Sequence, residues 1–486
     1  MVNIHYIHKD NNQDTARPAL LFNNVTVTYE EMEQNIGKYA GYFNRLGLKA
    51  GDRVAIALPN GPEFIYSYFG VTRAGGAVVP LNLLQTPLEL AFMLNDSGAR
   101  FLITNETIGR AFSKLPRQSV KVVLLDEQCS KEILTTPPAH FQERDPESVC
   151  TLLYTSGTMG NPKAVMLTHN NLIGNVKSMD DVSGFGPDDN FLAVLPMFHS
   201  FGWATSVLLP LYVGCSITIL DAFRPKEVLH ALSQKGITVF CGVPSMFAVL
   251  LKLRRQAPFP TLRYAISGGD SISKEHMLSF EKTFNFSIIE GYGLSEASPV
   301  VSLNPLEGIR KIKSVGLPLT GVEVKIVGEN DGELPPGEMG ELIVKGPNIM
   351  KGYYNREDDT RSVLRKGWLY TGDLAYRDHD GYIYIVGRKK ELIITAGYNI
   401  YPGEIEETLE AHQSVAEAAV IGVPHPVKGE IIKAFIIPAE GFTPDKHELN
   451  RFLKGKLSVY KIPELFEIKN ELPKGANGKV LKRMLK

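Results

Sequence analysis

Cysteine is scarce, with four residues in a chain of 486. Cys129, Cys150, Cys215 and Cys241 are scattered, and none stands in a C-x-x-C or other metal-ligand spacing. That argues against a cysteine-held metal, and so few thiols suit a reducing compartment. Net charge is equally spare. Lys and Arg number 52, Asp and Glu 53, which leaves −1 at neutral pH. No overall field favours nucleic acid or an anionic membrane, so any phosphate binding must come from local sites. No stretch approaches the roughly 20 consecutive apolar residues that span a bilayer. The opening residues, Met1 to Ala16, are polar and lack the apolar core of a secretion signal. Internal repeats and low-complexity tracts are also missing. A soluble cytoplasmic protein is the expectation, with peripheral membrane contact left open.

What is present is ordinary globular material. An apolar fraction of 44% supplies a sizeable core, and the length suggests two to four packed units. Leu20 to Phe22 and Val25 to Val27 flank Asn23-Asn24, a hairpin turn pair. Thr28 with Glu31 reads as a capping box that opens a helix from Tyr29 to about Leu46. Short apolar runs then alternate with helical stretches: Val54 to Leu58, Ala77 to Val79, Phe101 to Thr104, and later Phe191 to Leu195, Ser216 to Leu220, Thr238 to Cys241, Tyr264 to Ser267 and Ser287 to Glu290. That rhythm predicts parallel sheets with helices on their faces. From about Ser314 to Val386, strands such as Val322 to Val327 and Gly340 to Lys345 alternate with Gly and Pro turns, which predicts an antiparallel, barrel-like unit. From about Lys389 a new pattern begins, with Pro402 and Glu404 opening a helix before strands near Ala418 to Val423 and Ile431 to Ile437. The fold class expected is α/β: a large N-terminal domain, residues 1–388, of doubly wound sheets plus a small β-barrel at about 314–386, followed by a mobile α+β domain at 389–486.

The chemistry concentrates in one loop. After the strand-like Leu152-Leu153-Tyr154 come Thr155, Ser156, Gly157, Thr158, Met159, Gly160, Asn161, Pro162 and Lys163. Glycines let backbone N–H groups converge on a phosphate, hydroxyls add donors and the lysine adds charge. Pro162 before Lys163 rules out the Walker pattern. A plain surface turn is the alternative, but turns seldom combine these residues directly after a buried strand. The string resembles the signature of the adenylate-forming superfamily, which includes acyl-CoA synthetases, luciferases and the adenylation domains of peptide synthetases. Met159 stands where that family usually has Thr, one hydroxyl fewer for the β- and γ-phosphates.

The same resemblance extends along almost the whole chain, in family order. Gly291-Tyr292-Gly293-Leu294-Ser295-Glu296 is similar to the motif in which Tyr292 would meet adenine, Ser295 the α-phosphate and Glu296 a Mg²⁺ ion. Gly268 and Gly269 would border the adenine edge, although Asp270 replaces a commoner small residue. In Tyr370-Thr371-Gly372-Asp373 the resemblance assigns Asp373 to the ribose hydroxyls, assisted by Arg388. Lys390 falls at the family's hinge, Gly397 would border the tunnel of the CoA pantetheine, and Lys479 occupies the place of the catalytic lysine. For the acid, the resemblance points to His199, Trp203, Val243, Met246 and Gly291 as pocket residues. Trp203 is equally compatible with core packing. No Asp stands at 199 to hold an ammonium, which argues against an α-amino acid. The implied function is ATP- and Mg²⁺-dependent activation of a medium- or long-chain fatty acid and its transfer to coenzyme A. An aryl acid, a carrier-protein acceptor and a non-catalytic nucleotide binder are the alternatives, and the sequence leaves a homodimer open.

Overall fold

The computed structural model describes residues 3–9, 14–112, 120–139, 143–155, 162–253, 259–395, 398–474 and 480–485. Local signals set the first elements. Asn23 and Asn24 both adopt left-handed φ, 47° and 64°, so the strands Pro18–Phe22 and Val25–Thr28 close as an antiparallel hairpin. Helix Tyr29–Arg45 begins with both halves of its capping box in place. The Glu31 amide donates to Thr28 Oγ1 at 3.1 Å and the Thr28 amide to Glu31 Oε2 at 2.8 Å.

The alternating runs separate into two sheets. In the seven-stranded sheet, Lys121–Leu124, Phe101–Thr104, Arg53–Ala57, Ala77–Pro80 and Val149–Thr155 run parallel, and Lys163–Thr168 with Gly352–Tyr353 continue it antiparallel. The nine-stranded sheet runs parallel from Ile288–Gly293 through Tyr264–Ser267, Val239–Gly242, Asn190–Ala193 and Ser216–Ile219 to Pro18–Phe22. The N-terminal hairpin thus joins strands some two hundred residues away, not the sheet that follows it in sequence.

Both faces of the nine-stranded sheet are covered, as a parallel sheet requires. Leu192, Phe240 and Ala265 point to one side, where Leu232, Phe247 and Phe280 from three helices bury them. Phe191, Cys241 and Ile266, offset by one residue, point to the other and enter the main core. All four cysteines are buried thiols.

Residues 323–388 contain an antiparallel five-stranded sheet centred on Trp368–Arg377. The C-terminal part has its own sheet, built on the long hairpin Val415–His425 and Gly429–Pro438. Ile405 and Leu409 of helix Pro402–Glu410 and Leu449 and Leu453 of helix Lys446–Lys454 close a separate core over Val420, Ala434 and Ile436. Among the described residues, no helix is long and apolar enough to cross a membrane.

Candidate active site

The two sheets and the C-terminal unit meet around a cleft of about 1420 Å³. Thr155 ends one strand and Lys163 begins the next, and the two are register partners across the ladder. Both line the cleft. Ser156, Gly157, Thr158, Met159 and Gly160 lie outside the described residues. Lys163 Nζ sits 2.6 Å from Asp359 Oδ1 and 5.4 Å from the centre of the Tyr353 ring.

Gly268 and Gly269 line the same cleft. A Cβ on Gly268 would lie 3.0 Å from the Phe201 ring, so any side chain there would have to push that ring aside. Asp270 turns to solvent, where its Oδ1 accepts from the Ser271 amide at 3.0 Å.

The motif from Gly291 begins inside a strand, not after it, because Ile288–Gly293 runs on as a partner of Val300–Leu303. That fixes Tyr292, whose hydroxyl donates to Asp373 Oδ2. Burial and the adjacent Asp373 carboxylate push this hydroxyl well above its ordinary pKa, so it remains a donor. Asp373 is buried, and its other oxygen lies 2.7 Å from Arg388 Nε. Thr371 Oγ1 accepts the Asp373 amide at 3.0 Å and so holds the turn. Tyr292, Asp373 and Arg388, brought from three separate strands, thus form one hydrogen-bonded group.

Ser295 and Glu296 open a short 3₁₀ turn on the cleft wall. Ser295 Oγ lies 3.3 Å from Ser200 Oγ. Tyr353 donates its hydroxyl to Glu296 Oε1 at 2.7 Å. Burial and the Glu296 charge raise the Tyr353 hydroxyl's pKa, so it also stays protonated.

From the C-terminal side, Lys390 lines the cleft within the 3₁₀ turn Lys389–Glu391, and Lys389 pairs with Glu341 at 2.8 Å. Lys474 and Val480 bridge to each other and both line the cleft. Lys479 lies outside the described residues, as does Gly397.

The acid-pocket residues divide. His199 and Gly291 line the cleft. His199 caps the helix that follows, with its Nδ1 accepting from the Phe201 amide at 3.3 Å, and burial lowers its pKa. With Nδ1 accepting, the neutral ring carries its proton on Nε2. Trp203, Val243 and Met246 are not among the described residues that line the cleft. Trp203 packs against Phe64, Tyr68 and Phe69, with ring centres 4.3 to 5.8 Å apart. Its indole is buried among the aromatic neighbours of helix Pro62–Arg73. Val243 lies behind Gly269, 3.5 Å from where a Cβ would be, and Met246 is buried.

What sequence reading missed is the apolar branch of the cleft. Met179 and Ser183, four apart on helix His169–Ser183, and Thr205 and Leu209, four apart on the next helical run, face the Phe191, Cys241 and Ile266 side of the sheet. The polar groups there are already engaged. Ser183 Oγ donates to Asp180 O at 3.1 Å and Thr205 Oγ1 to Phe201 O at 2.7 Å. Burial pushes the Cys241 thiol up to about 11. Tyr353 and Asp359, which no motif flagged, are the other additions.

A cleft with a polar, cation- and carboxylate-lined end and an apolar branch, at the carboxyl ends of parallel strands, is the arrangement of a nucleotide-binding α/β enzyme. Comparison with known proteins agrees. Residues 7–354 match the family model described as AMP-binding enzyme, and residues 404–479 match AMP-binding enzyme C-terminal domain. A long-chain-fatty-acid–CoA ligase of Bacillus subtilis is 36% identical, over 96% of this chain and 91% of its own. A feruloyl-CoA synthase of an Amycolatopsis species is also 36% identical, over 96% and 94%. ATP-bound MatB from Rhodopseudomonas palustris superposes with a TM-score of 0.94 at 31% identity, over 100% of this chain and 98% of that one. The chain belongs to the AMP-binding enzyme family, and within it to the acyl-CoA ligases.

Proposed function

We propose that this enzyme activates a medium- or long-chain fatty acid with ATP and transfers the acyl group to coenzyme A. The apolar branch carries the choice of acid. Its walls are aliphatic, aromatic or internally hydrogen-bonded, and no Lys, Arg, Asp or Glu of helix His169–Ser183 or of residues 200–213 lines it. A second carboxylate or an ammonium there would be buried without a partner, whereas a hydrocarbon tail gains by burial.

The acid's carboxylate oxygen attacks the α-phosphorus of ATP. A P–O bond to the α-phosphorus forms, the bond to the bridging oxygen breaks and pyrophosphate leaves. No base is needed, because the acid is already ionised. The demand is to align two anions and offset their charge. Thr155, Ser156, Gly157, Thr158, Gly160 and Lys163 would hold phosphate oxygens. Tyr292, oriented by its hydroxyl, would lie against adenine beside Gly268 and Gly269, and Asp373, oriented by Arg388, would accept the ribose hydroxyls. Ser295 would reach the α-phosphate. Among the described residues no cluster of three acidic, His or Cys groups could cage a metal. A single carboxylate, Glu296, beside phosphates fits Mg²⁺, which takes few protein ligands and several from substrate. When bound there it would offset phosphate charge.

Lys479 would supply the cation nearest the reacting oxygen. Its sequence neighbours Lys474 and Val480 line the cleft, which supports that role. In the second step the CoA thiolate attacks the acyl carbon, the C–O bond to AMP breaks and AMP leaves. Lys390 would serve as the pivot by which Lys479 withdraws and Gly397 approaches the pantetheine. An aryl acid is the second reading, favoured by Phe185, Phe191, Phe198 and Phe201 in the lining and by the feruloyl-CoA synthase relative.

Pyrophosphate release across a panel of acids, with and without CoA, tests the proposal. Saturated acids should be activated, and the thioester should form only with CoA. Acid-dependent release indifferent to CoA, with no thioester product, would refute it. Lys479→Ala should abolish release.

A further inference from the structure

We infer that Phe185 is the floor of the acyl branch and limits the chain to about eleven carbons. This rests on the fatty-acyl reading above and goes on to its length limit.

The sheet register gives the depth. Phe191, Val239 and Tyr264 are paired neighbours in one row across the strands. Cys241 and Ile266 form the row two residues on, and Gly268 follows two residues beyond Ile266. Glu290 pairs with Ser267, so Gly291 stands level with Gly268 at the nucleotide end. The branch therefore runs along the strands from Gly268 and Gly291 to the Phe191 row. Four residues at about 3.3 Å each make about 13 Å. A staggered hydrocarbon advances about 1.25 Å per bond, the projection of a bond of roughly 1.5 Å, so about ten bonds fit.

Phe185 closes the far end. Its ring centre lies 5.0 Å from Phe191 at 83° and 5.7 Å from Tyr264 at 68°, edge-to-face contacts on the last row. The floor is also pinned. Gly184, at φ 61°, ends helix His169–Ser183, and the Phe185 amide donates to Ser183 Oγ at 3.3 Å. The Gly186 amide donates to Asp189 Oδ2 at 3.0 Å, and the buried Asp189 carboxylate accepts from Arg263 Nη1 at 2.8 and 2.9 Å. Arg263 precedes Tyr264, so the loop bearing Phe185 is tied to the strand it caps. A fixed floor measures length, whereas a loose one would yield.

The test is the chain-length profile of acyl-adenylate formation, read as pyrophosphate release with saturated acids from hexanoate to palmitate. Wild type should prefer decanoate to dodecanoate, with kcat/KM at least about tenfold lower for palmitate. Phe185→Ala should move the optimum two to four carbons longer with the KM for ATP unchanged. Cys241→Leu, which adds bulk on the row before the floor and leaves its pinning contacts intact, should move it shorter. An unchanged profile in folded Phe185→Ala overturns the inference. If that variant does not fold, an unchanged profile in Cys241→Leu overturns it. Failure of the underlying reading looks different, because wild type would then activate no saturated acid at all.

Discussion

Glu290 offers a quantitative test of the site's electrostatics. It pairs with Ser267 in the strand that delivers Tyr292, and only 5% of it is exposed. Oε1 accepts the Ile272 amide at 3.3 Å, and Oε2 has no partner among the described residues. Burial raises its pKa from 4.5 to about 7, the Ile272 amide opposes this and the Asp270 charge adds to it. The folded state therefore holds a proton that the unfolded chain has given up. Stability is full below pH 4.5 and is lost as pH rises to about 7. About 2.5 pH units at about 1.4 kcal/mol each make about 3.5 kcal/mol, of which most falls between pH 5 and pH 7. Glu290→Gln keeps an acceptor for Ile272 but places an unpaired N–H at the Oε2 position, at about 1–3 kcal/mol. The variant should thus equal wild type or fall slightly below it at pH 5 and match or exceed it at pH 8. Urea unfolding of both proteins across that range reads the difference, which should grow by about 3 kcal/mol from acid to alkaline pH. Glu290 does not line the cleft, so the KM for ATP should hold within about threefold, under 1 kcal/mol. Parallel stability curves for the two proteins would refute the reasoning.

Two further outcomes follow from buried charge. Asp373→Asn removes the anionic acceptor that Tyr292 and Arg388 share, so the KM for ATP should rise about tenfold or more, for about 1.5–3 kcal/mol of charged hydrogen bonding; ATP titration of pyrophosphate release measures it, and an unchanged KM would remove Asp373 from the site. His169 is held near pKa 4 by burial and by Arg144, with its Nδ1 accepting the Ile4 amide at 3.1 Å. Because its folded pKa is depressed from 6.5, stability is lost as pH falls through that window. By pH 5 wild type should lose about 2 kcal/mol relative to His169→Gln in urea unfolding, as about 1.5 pH units at about 1.4 kcal/mol each require.

Signals that act within a few residues were legible in the sequence. Asn23-Asn24 needs only its own two left-handed residues, and Thr28 with Glu31 needs only one helical turn. The parallel strands were visible as apolar runs, but their partners were not. A strand buried on both faces carries no mark of its neighbour, which is why Pro18–Phe22 pairs with Ser216–Ile219 without warning. The Tyr353 hydroxyl on Glu296 spans 57 residues, and Tyr353 has no sequence pattern that separates it from any other half-buried tyrosine. Trp203 shows how burial depends on distant neighbours. A conspicuous residue four beyond His199 faces the core because Phe64, Tyr68 and Phe69 stand ready to bury it.

The nucleotide end and the acyl end differ in legibility for a chemical reason. Phosphates, a ribose diol and a divalent cation each demand particular donors or acceptors at fixed geometry, so few residue types serve, which is why Glu296 and Asp373 stood out as candidates in the sequence. The hydrocarbon proposed for the branch would demand only dry volume, which Met179, Leu209 or Phe191 supply no better than many alternatives. On the proposed reading, what would discriminate one acid from the next is the depth of the branch, a distance counted in strand rows from Gly268 to Phe191 and closed by the Phe185 ring from the loop before strand Asn190–Ala193. That distance exists only once the strands have paired. Relatives at 36% identity carry both fatty-acyl and feruloyl names, as expected if the polar half of the site stays constant while the apolar half is free to change length and shape.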